Sequence, residues 1–242
     1  MKPKIAIPEP CAYDLEYSGR ALPAYLHAIE AAGGEPVVIP LKSSPEDIAR
    51  SITSCAAVLL PGSKADVDPQ KYSAEKHPET APADTLRDSA DELLLQDAYN
   101  LRKPVFGICY GLQSLNVWRS GTLVQHIQSQ INHSAGAKVE IAHQVVLAPD
   151  SLLANEIGQR NTSAVAVNSS HHQSAEVIGD GLRAVARCPE DNVIEAIEGT
   201  SPDHFVLAVQ WHPERTFAQD RVSSSLFRCF VESARHWAAR NS

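Results

Sequence analysis

Short apolar runs alternate with stretches of helical spacing along the first half of the chain. The runs are apolar on both faces, which is typical of strands buried inside a parallel sheet. They occupy residues 5–7, 36–39, 56–60 and 104–108. The helical stretches occupy residues 21–32, 45–52, 85–101 and 110–117. Strands that alternate with helices in this way predict parallel strands covered by helices.

The second half of the chain is richer in strand-like segments, which occupy residues 138–147, 164–167, 182–186, 193–197 and 206–209. A long amphipathic helix is predicted over residues 220–239, and a surface loop over residues 66–84. The two halves together predict a three-layer α/β fold. Its central sheet is mixed and mostly parallel, is flanked by helices and carries an antiparallel extension. We expect a single domain over residues 1–242, since no internal repeat or linker interrupts the pattern.

Composition and charge narrow the classes of function. Hydrophobic residues make up 43% and charged residues 21% of the chain, as in a globular protein with a packed core. The net charge of -8 argues against binding to nucleic acid or to an anionic membrane surface. No apolar run approaches the roughly 20 residues that span a bilayer, and the N-terminus lacks the apolar core of a signal peptide. A cytoplasmic location is therefore expected.

One of the five cysteines occupies a position typical of a nucleophile. A predicted strand runs directly into Cys109, and a predicted helix follows at once. Gly107 and Gly111 flank the cysteine, which is the pattern of a nucleophile elbow, where a strained turn exposes the sulfur at the strand end. The helix N-terminus would favour a thiolate, and the backbone N–H of Tyr110 would point at the oxygen of an attacked carbonyl. The alternative is a small buried cysteine with a packing role.

A thiol that attacks a carbonyl needs a histidine to accept its proton and a group to orient that histidine. His212 stands out among the ten histidines because it follows the apolar strand predicted at residues 205–209. Pro213 fixes the backbone after it. Glu214 lies two residues on, where its carboxylate can fold back onto the imidazole. The alternative is an ordinary turn with a surface histidine and glutamate.

Two of these segments together resemble the class I glutamine amidotransferase superfamily, namely Gly-Ile-Cys-Tyr-Gly-Leu-Gln at residues 107–113 and Gln-Trp-His-Pro-Glu at residues 210–214. Within it, the chain is more similar to the γ-glutamyl hydrolases of the peptidase C26 type, which include bacterial γ-glutamyl-γ-aminobutyrate hydrolases. The segments that carry this closer resemblance are Leu-Pro-Gly-Ser at 60–63, Asp-Val-Asp-Pro at 66–69 with Tyr72, Arg-Asp at 87–88, Val-Asn-Ser-Ser-His-His-Gln at 167–173 and Asp-Asn-Val-Ile-Glu-Ala at 191–196. The resemblance implies the flavodoxin-like fold of that superfamily.

The resemblance also implies a role for each candidate site residue. Cys109 is the implied nucleophile, His212 the general base and acid, and Glu214 the carboxylate that orients the histidine. Gly62 and Tyr110 are the implied backbone donors of an oxyanion hole. The implied substrate-binding residues are Ser63, Gln113, His171, His172 and Gln173.

No metal or cofactor is expected from the sequence. The adjacent His171 and His172 would point to opposite faces of an extended segment and could not easily share one ion. The cysteines are odd in number and form no CxxC pair, which disfavours a disulfide framework and a cysteine-rich zinc site. No phosphate-binding glycine motif occurs. Two basic residues, Lys64 and Arg87, are candidates for holding a substrate carboxylate.

Four residues depart from the pattern of the resembled family. Ser63, Ser120 and Asn192 stand where glycine is usual. His126 stands where aspartate is usual. None of them belongs to the implied triad, but Ser63 lies in the implied oxyanion loop and the others lie toward the substrate edge.

The function implied by the resemblance is hydrolysis of the γ-glutamyl amide bond of a small compound through a thioester, which releases glutamate and an amine. One alternative is a glutaminase subunit that supplies ammonia to a separate synthase chain. Another is a catalytically silent binding protein on the same fold. The expected partner is a small γ-glutamyl molecule, with no nucleic acid and no membrane. The leaving amine and the oligomeric state, a homodimer included, stay open.

Overall fold

A computed structural model describes residues 2–157 and 164–241 of the chain. The strands of this described part are β1 (Lys4–Pro8), β2 (Glu35–Ile39), β3 (Ala57–Leu60), β4 (Val105–Ile108), β5 (Leu123–Val124), β6 (His143–Leu147), β7 (Ala164–Val167), β8 (Ser174–Ala175), β9 (Leu182–Arg187), β10 (Ile194–Gly199) and β11 (Val206–Val209). The helices are α1 (Leu15–Ala31), α2 (Pro45–Thr53), α3 (Thr85–Leu101), α4 (Tyr110–Trp118), α5 (Leu152–Glu156), α6 (Pro213–Thr216) and α7 (Arg221–Arg240), with a 3-10 turn at Pro69–Tyr72.

Nine of these strands form one mixed sheet in the order β2-β1-β3-β4-β11-β10-β9-β6-β7. Neighbours from β2 to β11 pair in parallel, and neighbours from β11 to β7 pair antiparallel. The short strands β5 and β8 pair with each other in a second sheet. The predicted α/β fold, with its parallel part and its antiparallel extension, is therefore confirmed. Because β3, β4 and β11 are parallel neighbours, their carboxyl ends meet at one edge of the sheet.

Alternate side chains of the central strands enter two separate cores, one on each face of the sheet. In β1, Ile5 and Ile7 enter the core that α1 and α7 complete, with Phe227 among its members. Ala6, between them, enters the opposite core, which α2, α3 and α4 complete and which includes Leu94. Burial on both faces explains why these strands are continuous apolar runs in the sequence.

Several element boundaries differ from the predicted ones. The strand predicted from residue 138 begins only at His143, because its partner β7 is four residues long and ends the ladder there. Helix α1 starts at Leu15, well before the predicted residue 21, because the Asp14 side chain caps it by accepting from the Tyr17 N–H. Segments as short as α5, β5 and β8 show no periodicity in a sequence. Across the described ranges, no helix has the length and apolarity to cross a membrane.

Two of the residues that stand in place of a family glycine have left-handed backbone conformations. Ser120 has φ 71° and Asn192 has φ 63°. Asparagine adopts this region more readily than serine, since its short polar side chain can hydrogen-bond locally. Backbone strain at these two turns is therefore greater at Ser120.

We expect the substitution Ser120→Gly to stabilise the protein by about 1 kcal/mol, because glycine adopts the left-handed conformation without steric cost. The measurement is the free energy of unfolding in urea. Ser89→Gly is the matched control, since Ser89 is exposed inside α3 and glycine there should lower stability by about 0.5 kcal/mol. Equal effects of the two substitutions would contradict the strain assigned to Ser120.

Candidate active site

The turn that carries Cys109 is a strained corner between a strand and a helix. Strand β4 ends at Ile108 and helix α4 begins at Tyr110, which leaves Cys109 at the corner with φ 53° and ψ -106°. A non-glycine residue holds such a conformation only where its surroundings fix it. Here the Cys109 N–H donates to the Val209 carbonyl oxygen at 2.8 Å, so the neighbouring strand β11 fixes the corner.

The two flanking glycines make this corner sterically possible. A Cβ on Gly107 would lie 2.9 Å from the Gly111 backbone and 2.9 Å from the Ala208 side chain. A Cβ on Gly111 would overlap the carbonyl oxygen of Leu60 at the end of β3. Side chains do not approach backbone this closely, so both positions require glycine. The sharp strand-to-helix turn predicted at Cys109 is therefore present.

His212 follows β11 at the same edge of the sheet and is held from two sides. Its Nδ1 lies 2.8 Å from Oε1 of Glu214, and both side chains are buried. Asn168 holds the His212 backbone, because its Nδ2 donates to His212 O and its Oδ1 accepts from the His212 N–H, each at 2.8 Å. Nε2 of His212 is buried and has no hydrogen-bond partner among the described residues, so it can exchange a proton with a reacting group.

Gly62, Cys109 and His212 come together where three neighbouring strands end. A Cβ on Gly62 would lie 3.1 Å from His212 Cε1 and 3.6 Å from Cys109 Cβ. Cys109 and His212 also line the same cleft. The three stretches of sequence that carry the predicted site therefore meet in one place.

The two predicted oxyanion donors differ in what they bond. Tyr110 is the first residue of α4, so its N–H is one of the donors that a helix leaves without an intrahelical partner. The Gly62 N–H instead donates to the hydroxyl oxygen of Tyr25 at 3.1 Å. Tyr25 is buried on α1, and sequence reasoning missed it because its spacing is that of a core residue. A substrate oxygen would have to replace this hydroxyl as the acceptor.

The sulfur and the imidazole are both neutral in the resting site. Burial raises the pKa of Cys109 to about 12, against the opposing effects of Arg215 and the Tyr110 N–H. Burial also lowers the pKa of His212, although the nearby Glu214 carboxylate opposes that shift. The expected thiolate is therefore wrong for the resting protein, because desolvation of the sulfur outweighs the helix dipole.

The cleft beside Cys109 contains all five predicted substrate-binding residues in its wall, Ser63, Gln113, His171, His172 and Gln173. The two histidines contact different partners: Nε2 of His172 lies 3.0 Å from Asp66, whereas Nδ1 of His171 lies 2.9 Å from Gln173 O. Nε2 of Gln113 donates to the same carbonyl oxygen at 3.2 Å. Gln113 and His171 thus brace the segment that forms this wall.

The two basic residues singled out in the sequence do not lie free at the cleft. Arg87 is fully buried, donates to the Pro61 carbonyl oxygen at 2.7 Å and pairs with Asp91 at 2.7 Å. It therefore supports the loop after β3 and cannot reach a substrate. Lys64 does line the cleft, but its ammonium group pairs with Asp14 at 2.7 Å.

Arg215 is a cation of the cleft that sequence reasoning missed. It lines the cleft, and its Nε lies 3.5 Å from Oε1 of Glu214. Its Nη1 is buried and has no hydrogen-bond partner in the described part of the chain. The sequence did contain one indication of this role, since Arg215 directly follows the His-Pro-Glu segment. Helix α6 turns the residue back toward Cys109.

Groups that could hold a metal ion also lie beside the cleft. His171 meets two further histidines and a glutamate, and the cluster comprises His133, His143, His171 and Glu195. Sequence spacing could not reveal it, because four separate segments of the chain supply its members.

The chain is similar to known proteins along most of its length. The model of the family described as Peptidase C26 matches residues 11–214, and the chain belongs to this family. A Mycobacterium tuberculosis protein named "Putative glutamine amidotransferase Rv2859c" is 38% identical over 226 residues, which cover 91% of this chain and 70% of that protein. The gamma-glutamyl-gamma-aminobutyrate hydrolase PuuD of Escherichia coli is 31% identical over 225 residues, which cover 89% of this chain and 86% of that protein.

A solved structure shares the fold. The crystal structure of a "putative GMP synthase" component from Thermoplasma acidophilum matches with a TM-score of 0.67, covering 100% of this chain and 98% of that chain. At 12% identity this likeness establishes the fold alone. The family and the relatives identify the chain as a glutamine amidotransferase-like hydrolase.

We expect alkylation of Cys109 by iodoacetamide to accelerate about tenfold per pH unit from about pH 7 to about pH 10. Burial raises the pKa of this thiol to about 12, so the reactive thiolate is a small fraction that grows with pH throughout this range. The measurement is the rate of labelling at Cys109 by mass spectrometry, with Cys109→Ala to subtract labelling elsewhere. A rate that is already constant below about pH 7 would mean a thiolate–imidazolium pair and refute the neutral site.

Proposed function

We propose that the protein hydrolyses the γ-glutamyl amide bond of a small compound, with Cys109 as nucleophile and a thioester as intermediate. The observation that supports this most directly is the strained Cys109 beside His212, whose Nδ1 lies 2.8 Å from Glu214. A sulfur, a free imidazole nitrogen and an orienting carboxylate are the groups that acyl transfer requires. The cleft volume of about 260 Å³ suits a small substrate. The name of the Escherichia coli relative supports the γ-glutamyl class.

The reaction starts from two neutral groups. As the sulfur of Cys109 bonds to the γ-carbonyl carbon, Nε2 of His212 takes the thiol proton, so a free thiolate is never required in the buried site. The imidazolium formed in this step is stabilised by Glu214, which accepts from its Nδ1–H. Asn168 keeps the histidine backbone fixed while the charge changes.

Negative charge then develops on the carbonyl oxygen. Two backbone N–H groups beside Cys109, those of Gly62 and Tyr110, are the donors that would stabilise this charge. The Gly62 N–H must exchange its present acceptor, the Tyr25 hydroxyl, for the substrate oxygen. This exchange favours the transition state, because the oxygen that carries the charge is a stronger acceptor than a phenol.

The reaction is completed in two stages, formation of the thioester and its hydrolysis. First, the C–N bond breaks while His212 gives its proton to the leaving amine, which produces free amine and a thioester on Cys109. Next, a water molecule attacks the thioester carbon and gives a proton to His212. The C–S bond breaks, His212 returns the proton to the sulfur, and glutamate leaves. The neutral pair is thereby restored.

The α-carbon of a γ-glutamyl group carries a carboxylate and an ammonium. Two residues of the cleft wall each carry a buried atom that matches one of these charges once the side chain turns toward the substrate. Arg215 presents Nη1, a cationic donor without a partner among the described residues. Gln173 presents Oε1, a buried acceptor that likewise has none in the described chain. An α-carboxylate at Arg215 and an α-ammonium at Gln173 would satisfy both atoms.

We expect the purified protein, with no partner chain, to release free amine from at least one member of a panel of γ-glutamyl amides. Cys109→Ala should lower kcat by about 1000-fold or more, because the nucleophile is lost. Cys55→Ala is the matched control, a buried cysteine that does not line the cleft, and should leave kcat unchanged. Hydrolysis that survives Cys109→Ala would disprove the mechanism. Activity on glutamine alone, and only with a synthase chain present, would favour an ammonia-supplying glutaminase.

We expect Arg215→Gln to raise KM for γ-glutamyl substrates by roughly 10-fold to 100-fold, since a charge-assisted hydrogen bond to the α-carboxylate is lost. The same variant should bind a γ-amide that lacks the α-carboxylate as well as the wild type does. Lys64→Gln removes a charge already paired with Asp14 and is the control with little effect on KM. An equal rise in KM for both kinds of substrate would place the α-carboxylate elsewhere.

A further inference from the structure

Three histidines and one glutamate form a buried cluster beside the catalytic cleft. His143 begins β6 and Glu195 lies on β10. His171 follows β7, and His133 lies in the segment between β5 and β6. Their ligand atoms all lie within 4.8 Å of one another. Four distant parts of the chain therefore place metal-binding groups around a single point.

The atoms that face the centre of this cluster are not satisfied by hydrogen bonds. Oε1 of Glu195 lies 3.1 Å from Nδ1 of His133, 3.4 Å from Nε2 of His143 and 3.6 Å from Nε2 of His171. None of these four atoms, nor Oε2 of Glu195, has a hydrogen-bond partner within the described residues. Buried polar atoms without partners are costly, so a group that binds all of them at once would stabilise the site.

Each ring has an inner nitrogen, which faces Glu195, and an outer nitrogen, which faces away from it. The hydrogen bond of the outer nitrogen determines whether the inner nitrogen carries a proton. Nδ1 of His171 lies 2.9 Å from Gln173 O, and Nδ1 of His143 lies 3.1 Å from Gln144 O. A carbonyl oxygen only accepts, so these outer nitrogens carry the proton and the inner nitrogens of the neutral rings carry a lone pair. Nε2 of His133 similarly faces a carboxylate, Asp191, at 2.8 Å. Histidines that ligate metals have this arrangement of outer acceptors.

Protonation of the histidines alone does not explain how the buried polar atoms of this cluster are stabilised. Protonating all three rings would place three buried cations around the one carboxylate of Glu195, which cannot compensate them all. A single shared proton would satisfy only one ring and leave the lone pairs of the other two facing the carboxylate. A cation at the centre interacts favourably with every inner atom.

We propose that His133, His143, His171 and Glu195 together bind one divalent first-row transition metal ion, with zinc the best match. Imidazole nitrogens suit zinc, whereas magnesium and calcium prefer all-oxygen sites. Ligands about 2.0–2.2 Å from a tetrahedral ion stand roughly 3.3–3.6 Å from each other. The separations of 3.1, 3.4 and 3.6 Å around Oε1 are close to that geometry.

Four protein ligands complete a tetrahedral shell, so the ion has a structural role. It ties the segment that carries His133 to strands β6 and β10. It also fixes His171, whose ring lines the catalytic cleft and contacts the carbonyl oxygen of Gln173. The site therefore holds one wall of the cleft in place without taking part in the chemistry at Cys109.

The test is a titration of the full-length, chelator-stripped protein with Co(II), followed by its visible absorption. We expect one cobalt per chain with the intense bands of four-coordinate cobalt, displacement of the cobalt by one equivalent of zinc, and a higher Tm with either ion. Glu195→Gln and His143→Ala should each weaken cobalt binding at least tenfold. No cobalt bound by the wild-type protein would overturn the proposal, and this outcome does not depend on whether any variant folds.

Two controls separate this cluster from other ligand groups. His126→Ala disrupts the half-buried pair in which Nδ1 of His126 lies 3.5 Å from Nδ1 of His172, and it should leave cobalt binding intact. Loss of binding in this variant would locate the ion at that pair and refute the proposal. A cobalt–thiolate charge-transfer band would place the ion with Cys188 and Asp191 on the outer side of His133, and would refute it equally.

Discussion

The close approach of Gly111 to the end of β3 is the constraint on which the site depends. Helix α4 starts so near this strand end that a side chain at Gly111 would overlap Leu60. The strand register supports this approach, because Leu60 pairs with Gly107 and Val209 pairs with Ile108. Three parallel strands thus end level with one another. The loop after β3, the sulfur after β4 and the imidazole after β11 are adjacent for this reason.

Burial at this sheet edge sets the electrostatics of the site. Since desolvation penalises both thiolate and imidazolium, the resting pair is uncharged, and in the proposed reaction charge appears only as the sulfur attacks. The groups that would stabilise it are already in position: Glu214 lies against the imidazole, and Tyr110 begins the helix beside the sulfur. Such preorganised dipoles need little rearrangement when the charge develops.

The parallel part of the fold could be predicted from the sequence because each of its physical causes is local. Burial on both faces produces continuous apolar runs, and the elbow requires glycines on both sides of Cys109. Parallel strands bring their carboxyl ends to one edge, so residues that follow strands, such as His212, can be expected to meet the cysteine.

The contacts that the sequence did not predict all join segments far apart in the chain. Tyr25 reaches Gly62 from α1, and Asn168 reaches the backbone of His212. The cluster around Glu195 depends on the antiparallel strands and on the path of the segment that carries His133. Helical or strand periodicity contains no information about such pairings. The Tyr25 contact follows from the packing of α1 against the loop after β3, whereas the Asn168 contact and the Glu195 cluster follow from the register of the antiparallel extension.

The neutral state of the buried sulfur also bears on chemical damage. Peroxides attack thiolates, and a sulfur that stays protonated at neutral pH is a poor target for oxidation to sulfenic acid. With its pKa raised to about 12, Cys109 is ionised only to a trace between turnovers. The burial that keeps this sulfur protonated therefore also protects it from peroxides.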